Sequence, residues 1–200
     1  MCDLDDTLVP DRGHGSISKM AVMIEPAKLG LKLLRKRGWK IAVVTNQPTE
    51  ESKRQKLEVD MRRLEKDLRI LIGTNQKCLK LLYCPHLPFD GCLCRKPDNG
   101  LLIRALKHYQ IYSSDAKNTM YGEEHQVWMV GDKWSDRIAG SGVFAKTCII
   151  DPVRFGYYPK GASELPEDCR ARPPHLYCRG FYMFAQILAS GCLEYFSVGS

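Results

Sequence analysis

Short apolar runs alternate along this chain with longer stretches in which apolar residues recur every three or four positions. Lys40-Ile41-Ala42-Val43-Val44-Thr45 is largely apolar and β-branched and follows Gly38, the pattern of a strand buried on both faces. Before it, Leu29, Leu33 and Leu34 fall on one side of residues 26–37, and Pro26 suits a first helical turn. Leu57, Met61, Leu64 and Leu68 recur at helical spacing in a mixed-charge stretch, which predicts a second helix with a core-facing stripe. Residues 79–83, 127–130 and 147–150 read as further strands, and Asp98 is placed to cap a helix through Leu101, Leu102, Ala105 and Leu106. Strands separated by helices predict an α/β fold, a parallel sheet with helices on both faces.

With 200 residues and 44% hydrophobic side chains, one core is expected. Its span is residues 1–155. Residues 156–200, marked by Tyr157-Tyr158-Pro159, Pro166 and Pro173-Pro174, read as an irregular C-terminal segment ending in a helix over residues 181–188. The beginning departs from this plan: only Met1 and Cys2 precede the first acidic motif, where a central strand calls for about five residues. The expectation is a truncated first strand, from a chain that lacks its true N-terminus.

The formal charge of +7 suits an anionic ligand. The most one-sided block, Lys28, Lys32, Arg35, Lys36, Arg37 and Lys40, has helical context and reads as a solvated face. No aromatic-basic stacking platform accompanies it, which disfavours nucleic acid as a partner. No apolar run has the length of a membrane span and no secretory signal pattern opens the chain, so a cytoplasmic protein, monomeric by default, is expected.

Candidate chemistry gathers where the predicted strands end, the place where ligands collect in such sheets. Asp3-Leu4-Asp5-Asp6-Thr7 follows the first apolar residues, Thr45-Asn46 ends the second strand, Lys96 follows a cysteine-rich loop, and Gly131-Asp132-Lys133-Trp134-Ser135-Asp136 ends the strand at Val130. Hydrolysing a phosphate monoester requires an oriented nucleophile, neutralised phosphoryl oxygens and a proton for the leaving alcohol. Asp3 supplies a nucleophile and Asp5 an acid/base two residues on. Asp132 can hold Mg2+ with Asp3, Lys96 adds positive charge, Thr45 donates to a phosphoryl oxygen, and Asp136 orients Lys96. Taken singly, each of these is as readily a turn, cap or surface residue; their joint order is what carries the reading.

Nine cysteines are many for an intracellular chain of this length. Cys84, His86, Cys92 and Cys94 cluster within the stretch CPHLPFDGCLC, and three thiolates with one imidazole make a closed tetrahedral Zn2+ site, structural rather than catalytic. Cys2, Cys78, Cys148, Cys169, Cys178 and Cys192 read as buried or incidental thiols.

Together DxDxT, the strand-end Thr, the Lys and GDxxxD resemble the haloacid dehalogenase-like hydrolase superfamily over residues 3–150. The resemblance implies a Rossmann-like three-layer sandwich, Asp3 as nucleophile, Asp5 as acid/base, and Mg2+ held by Asp3, the Asp5 carbonyl and Asp132. C-x-H-x5-C-x-C followed by Arg95-Lys96-Pro97 is similar to the zinc loop of the histidinol-phosphatase and D-glycero-D-manno-heptose 1,7-bisphosphate 7-phosphatase subgroup. That likeness implies a substrate contact by Arg95; Lys133 is expected as a further phosphate contact, and Asn46, beside Thr45 at the strand end, as a substrate- or phosphate-binding residue. The chain departs from the subgroup in reading DLDDT for DRDGT, and in lacking a glycine-containing loop after Gln47. With no insertion large enough for a cap domain, an open site for a small phosphorylated metabolite is expected, a sugar phosphate or histidinol phosphate. A polynucleotide 3′-phosphatase and a non-catalytic binding protein are the alternatives.

Overall fold

The structure is a computed structural model, and it describes residues 1–10, 23–112, 126–150 and 174–191. In chain order the elements are α1 (Glu25–Lys36), β1 (Ile41–Asn46), α2 (Arg54–Ile72), β2 (Leu79–Cys84), α3 (Gly100–His108), β3 (Trp128–Gly131), α4 (Trp134–Ser141), β4 (Lys146–Ile150), β5 (Leu176–Cys178) and α5 (Phe181–Ser190). All strand pairs are parallel: β1 with β2, β3 with β4, and β4 with β5.

What joins the two groups of strands is the start of the chain. Cys2 bridges Val43 of β1 on one side and Val130 of β3 on the other, giving the spatial order β2, β1, residues 1–3, β3, β4, β5. Cys2 N–H donates to Ala42 O at 2.9 Å, Val44 N–H to Cys2 O at 2.8 Å, Val130 N–H to Met1 O at 3.0 Å and Asp3 N–H to Val130 O at 2.8 Å. The short first strand expected from sequence is therefore paired on both edges over the residues it has, and Asp3 emerges at its carboxyl end.

Successive side chains of a strand point to opposite faces, and β1 shows the result. Ile41 and Val43 join a cluster with Leu31, Leu34, Leu57, Met61, Phe181 and Phe184 from α1, α2 and α5; Ala42 and Val44 join one with Leu101, Leu102, Leu106 and Ala139 from α3 and α4. The fold is a three-layer α/β sandwich, as expected, and no large cap domain stands among the described residues.

Two details differ from the sequence reading. Asn99, not Asp98, is the N-cap of α3, and neither side chain caps it by hydrogen bond; α3 starts instead where Gly100 tucks its N–H onto Leu93 O at 3.1 Å. Residues 174–191 contribute β5, which extends the sheet, as well as the expected terminal helix. The short Leu-Tyr-Cys run is too brief to announce itself, and it pairs because β4 offers an edge. Tyr157, Tyr158, Pro159, Pro166, Cys169 and Cys192 lie outside the described residues.

Gly140 lets α4 sit directly on the sheet: a Cβ there would stand 2.7 Å from Met129 Cβ and 2.8 Å from Thr147 Cγ2. Gly140→Ala should therefore destabilise the protein by about 1–3 kcal/mol despite its better helix propensity. The midpoint of urea unfolding measures this, and an unchanged or higher midpoint would contradict such close packing.

Candidate active site and cysteine-rich loop

Four segments deliver polar side chains to one end of the sheet. After residues 1–3 the chain turns sharply: Leu8 and Val9 N–H both return to Leu4 O, and Asp6 takes φ +55°. Left-handed backbone is the reason glycine suits this position, and Asp is among the few other residues that tolerate it. The departure from DRDGT at residue 6 thus preserves the turn.

Lys96 lies at the centre. It is 4% exposed, and its Nζ stands 2.6 Å from Asp3 Oδ1, 2.6 Å from Asp136 Oδ1 and 2.9 Å from Val44 O. Those three partners match the three N–H donors of an ammonium. Burial works against the charge on Lys96, but Asp136 and Asp3 outweigh it and hold its pKa above the ordinary value. Lys96 is thus a buried countercharge that fixes the Asp3 carboxylate.

Asp132 is fully buried and accepts from Thr7 Oγ1 at 3.3 Å. Its Oδ2 has no hydrogen-bond donor, the nearest cation being Lys133 Nζ at 3.6 Å. Burial, and then repulsion from Asp3, push Asp132 up to about 6; the same two causes push Asp136 up to about 7. Carboxylate oxygens of Asp3, Asp132 and Asp136 all lie within 4.8 Å of one another. Three crowded carboxylates against one buried ammonium leave excess negative charge, and an unpartnered buried oxygen faces into it. Such a hard oxygen site suits Mg2+.

Gly131 makes the crowding possible, since a Cβ there would lie 2.2 Å from Asp136 Oδ2. Asp136 also accepts from Lys133 N–H at 3.1 Å, closing the first turn of α4.

The remaining expected residues divide. Thr45 is buried beside Asp5, its Oγ1 3.4 Å from Asp5 Oδ2. Asn46 turns both ends of its amide onto the Lys96 backbone, Nδ2 to Lys96 O at 2.9 Å and Oδ1 from Lys96 N–H at 3.0 Å. It therefore ties the Lys96 backbone to the end of β1. Arg95 is half-buried, donates to His86 O at 3.2 Å, and lines a neighbouring groove with Pro48, Thr49, Lys53 and Lys56. Lys133, half-exposed, flanks the carboxylates. Gln47, which the sequence reading passed over, is buried against Asp5 at 2.8 Å.

The loop between β2 and α3 gathers the other donor set. Cys84 Sγ lies 3.4 Å from His86 Nδ1, 3.5 Å from Cys92 Sγ and 3.3 Å from Cys94 Sγ. Cys94 Sγ is 3.2 Å from His86 Nδ1 and 3.6 Å from Cys92 Sγ. For Zn–S and Zn–N bonds of ordinary length, tetrahedral edges come to roughly 3.6–3.8 Å. The four donors sit within a few tenths of that, so the set fits a single tetrahedral ion.

Comparison with known proteins identifies the family of the chain. No protein-family model matches the chain. A D-glycero-alpha-D-manno-heptose-1,7-bisphosphate 7-phosphatase from Photorhabdus laumondii is 32% identical over 142 residues, covering 64% of this chain and 67% of that protein. This chain belongs to the heptose-bisphosphate 7-phosphatase family. A further family member, the D-glycero-beta-D-manno-heptose-1,7-bisphosphate 7-phosphatase of Pseudomonas putida, is 35% identical over 118 residues, 58% of this chain and 61% of the relative. The chain thus spans under two thirds of the length of that relative. The crystal structure of D,D-heptose 1.7-bisphosphate phosphatase from B. bronchiseptica, complexed with magnesium and phosphate, shares the fold with a TM-score of 0.69 at 19% identity, covering 95% of this chain and 97% of that one.

Lys96→Met keeps the length of the side chain and removes its charge, leaving Asp3 and Asp136 buried without their shared cation. The variant should lose about 3–5 kcal/mol of stability in the absence of added cation, read from denaturant unfolding. A loss below about 1 kcal/mol would mean that the ion cluster is solvated.

Proposed function

We propose that this protein is a Mg2+-dependent phosphatase that hydrolyses a small sugar phosphate, a heptose bisphosphate by preference, through an aspartyl-phosphate. The observation that carries the reading is Asp3: a buried carboxylate held 2.6 Å from Lys96 at the end of the central strand, beside the unpartnered Asp132 oxygen. The heptose-1,7-bisphosphate 7-phosphatase activity of the relatives, and the magnesium and phosphate complexed with the B. bronchiseptica protein, support the choice of substrate class and metal.

Asp3 attacks phosphorus, the bond from phosphorus to the leaving oxygen breaks, and Asp5 gives that oxygen its proton. Water then attacks the phosphorus of the aspartyl-phosphate, Asp5 takes the proton from the water, and the bond to Asp3 breaks to release inorganic phosphate. Lys96 holds Asp3 oriented for the attack. Thr45 donates to a phosphoryl oxygen, and Lys133, flanking the carboxylates, together with Arg95 from the neighbouring groove offsets charge on the substrate. Asp3, the Asp5 carbonyl and Asp132 would hold Mg2+, which when bound supplies positive charge to the phosphoryl oxygens.

Cys84, His86, Cys92 and Cys94 would hold a structural Zn2+. The loop buries little apolar surface, with Phe89 99% exposed and Leu93 79% exposed, so metal binding is what gives it a fixed shape. Among the described residues no helix is long and apolar enough to cross a membrane.

Phosphate release from heptose bisphosphate, histidinol phosphate and a 3′-phosphorylated oligonucleotide, with Mg2+, tests the reading. Turnover of the heptose ester that Asp3→Asn abolishes is the expected result. Silence across the panel from folded, metal-loaded protein would favour a non-catalytic relative, and preference for the oligonucleotide a 3′-phosphatase. Elemental analysis should find one zinc per chain, lost in Cys92→Ser together with several degrees of melting temperature; full thermal stability without zinc would remove its structural role.

A further inference from the structure

Gln47 has no part in the chemistry set out so far, yet its side chain is among the few buried polar groups of the molecule, 7% exposed. Its Nε2 donates to Asp5 Oδ2 at 2.8 Å and to Thr45 Oγ1 at 3.1 Å, and Thr45 Oγ1 itself donates to Asp5 Oδ2 at 3.4 Å. The backbone beneath is pinned: Gln47 N–H donates to Cys84 O at 2.8 Å, and Gln47 O accepts from Thr49 Oγ1 at 3.1 Å. We infer that Gln47 is a positioning residue that aims the acid/base carboxyl of Asp5 and the hydroxyl of Thr45 at the reacting phosphate.

The two bonds constrain two different atoms. The terminal torsion of a carboxylate is soft, and Asp5 is carried on a tight turn, so proton transfer needs something to select one orientation. With Oδ2 accepting from Gln47, the transferable proton of Asp5 belongs on Oδ1. A hydroxyl has one proton; when Thr45 Oγ1 accepts from Gln47, that proton points away from Gln47, toward Asp5 or toward a phosphoryl oxygen. One primary amide therefore sets both directions, and it does so from a backbone fixed to Cys84, the first residue of the cysteine-rich donor set.

The inference rests on the phosphatase reading, and leaving-group dependence separates the two. An alkyl phosphate needs its departing oxygen protonated, whereas 4-nitrophenyl phosphate releases a stable phenolate and barely uses the acid. Gln47→Met keeps the side-chain length and deletes the donor; Gln47→Glu keeps the shape and offers only acceptors when ionised. In both variants, the rate of aspartyl-phosphate formation from a sugar phosphate, measured in a single turnover, should fall about 100-fold, with KM changed less than about 3-fold. For 4-nitrophenyl phosphate the fall should be less than about 5-fold. In an Asp5→Ala background, Gln47→Met should add no more than the small loss, less than about 5-fold, that comes from releasing Thr45. Equal losses on both esters, or no loss, from variants that melt like the wild type would overturn the positioning role while leaving the phosphatase reading in place. If wild-type protein turns over neither ester, the phosphatase reading falls and the role of Gln47 falls with it.

Discussion

The rest of the site depends on a single buried ammonium. Lys96 Nζ is shared among Asp3, Asp136 and the carbonyl of Val44, at 2.6, 2.6 and 2.9 Å. Each partner comes from a different segment: the opening strand, the first turn of α4, and β1. A charge with so little access to water is retained only where its partners are well placed. Holding Lys96 therefore means holding three elements in register, and the nucleophile inherits its position from that requirement. The same ion cluster explains why Gly131 must be glycine, since any side chain there would take the space that Asp136 fills.

Two further devices carry the lysine to this place. Asn46 acts as a false strand partner, accepting from and donating to the Lys96 backbone as a β-ladder would. On the other side, the loop between Cys84 and Cys94 runs straight into Arg95 and Lys96, with Arg95 tied back to His86 O. The donor set is thus continuous with the charged residues it positions. Its first member also accepts the Gln47 N–H through its carbonyl, so the cysteine-rich loop is connected to both the countercharge and the acid/base.

Much of this was legible before any coordinates. The β-branched run of β1, the helical stripe of α2 and the acidic clusters at predicted strand ends all reflect local patterns with short range. What escaped was set by neighbours distant in sequence. β5 is three residues long and exists because β4 has a free edge. Asn46 reads as a phosphate contact from its place after Thr45, and its hold on the Lys96 backbone, fifty residues away, has no signal in the local sequence. Gln47 carries no charge and no reactive atom, so nothing in its type marked it; its meaning comes from burial beside Asp5. The start of α3 illustrates the same limit, as a well-placed Asp98 loses to a glycine packed against Leu93.

The opening strand shows how placement can be separated from length. About five residues are usual for a strand, yet residues 1–3 make four backbone bonds to β1 and β3, and the Met1 amine adds a fifth contact to Trp128 O at 2.6 Å. Beneath them, between the amino ends of β1 and β3, lies a cavity of about 720 Å3 lined by Trp39, Tyr109, Trp128 and Phe184. That cavity lies at the end of the sheet away from the chemistry. Asp3 sits at the other end, where both flanking strands are continuous and Lys96 closes over it, so the constraint on the nucleophile is lateral, from its neighbours, rather than axial, from the strand that carries it.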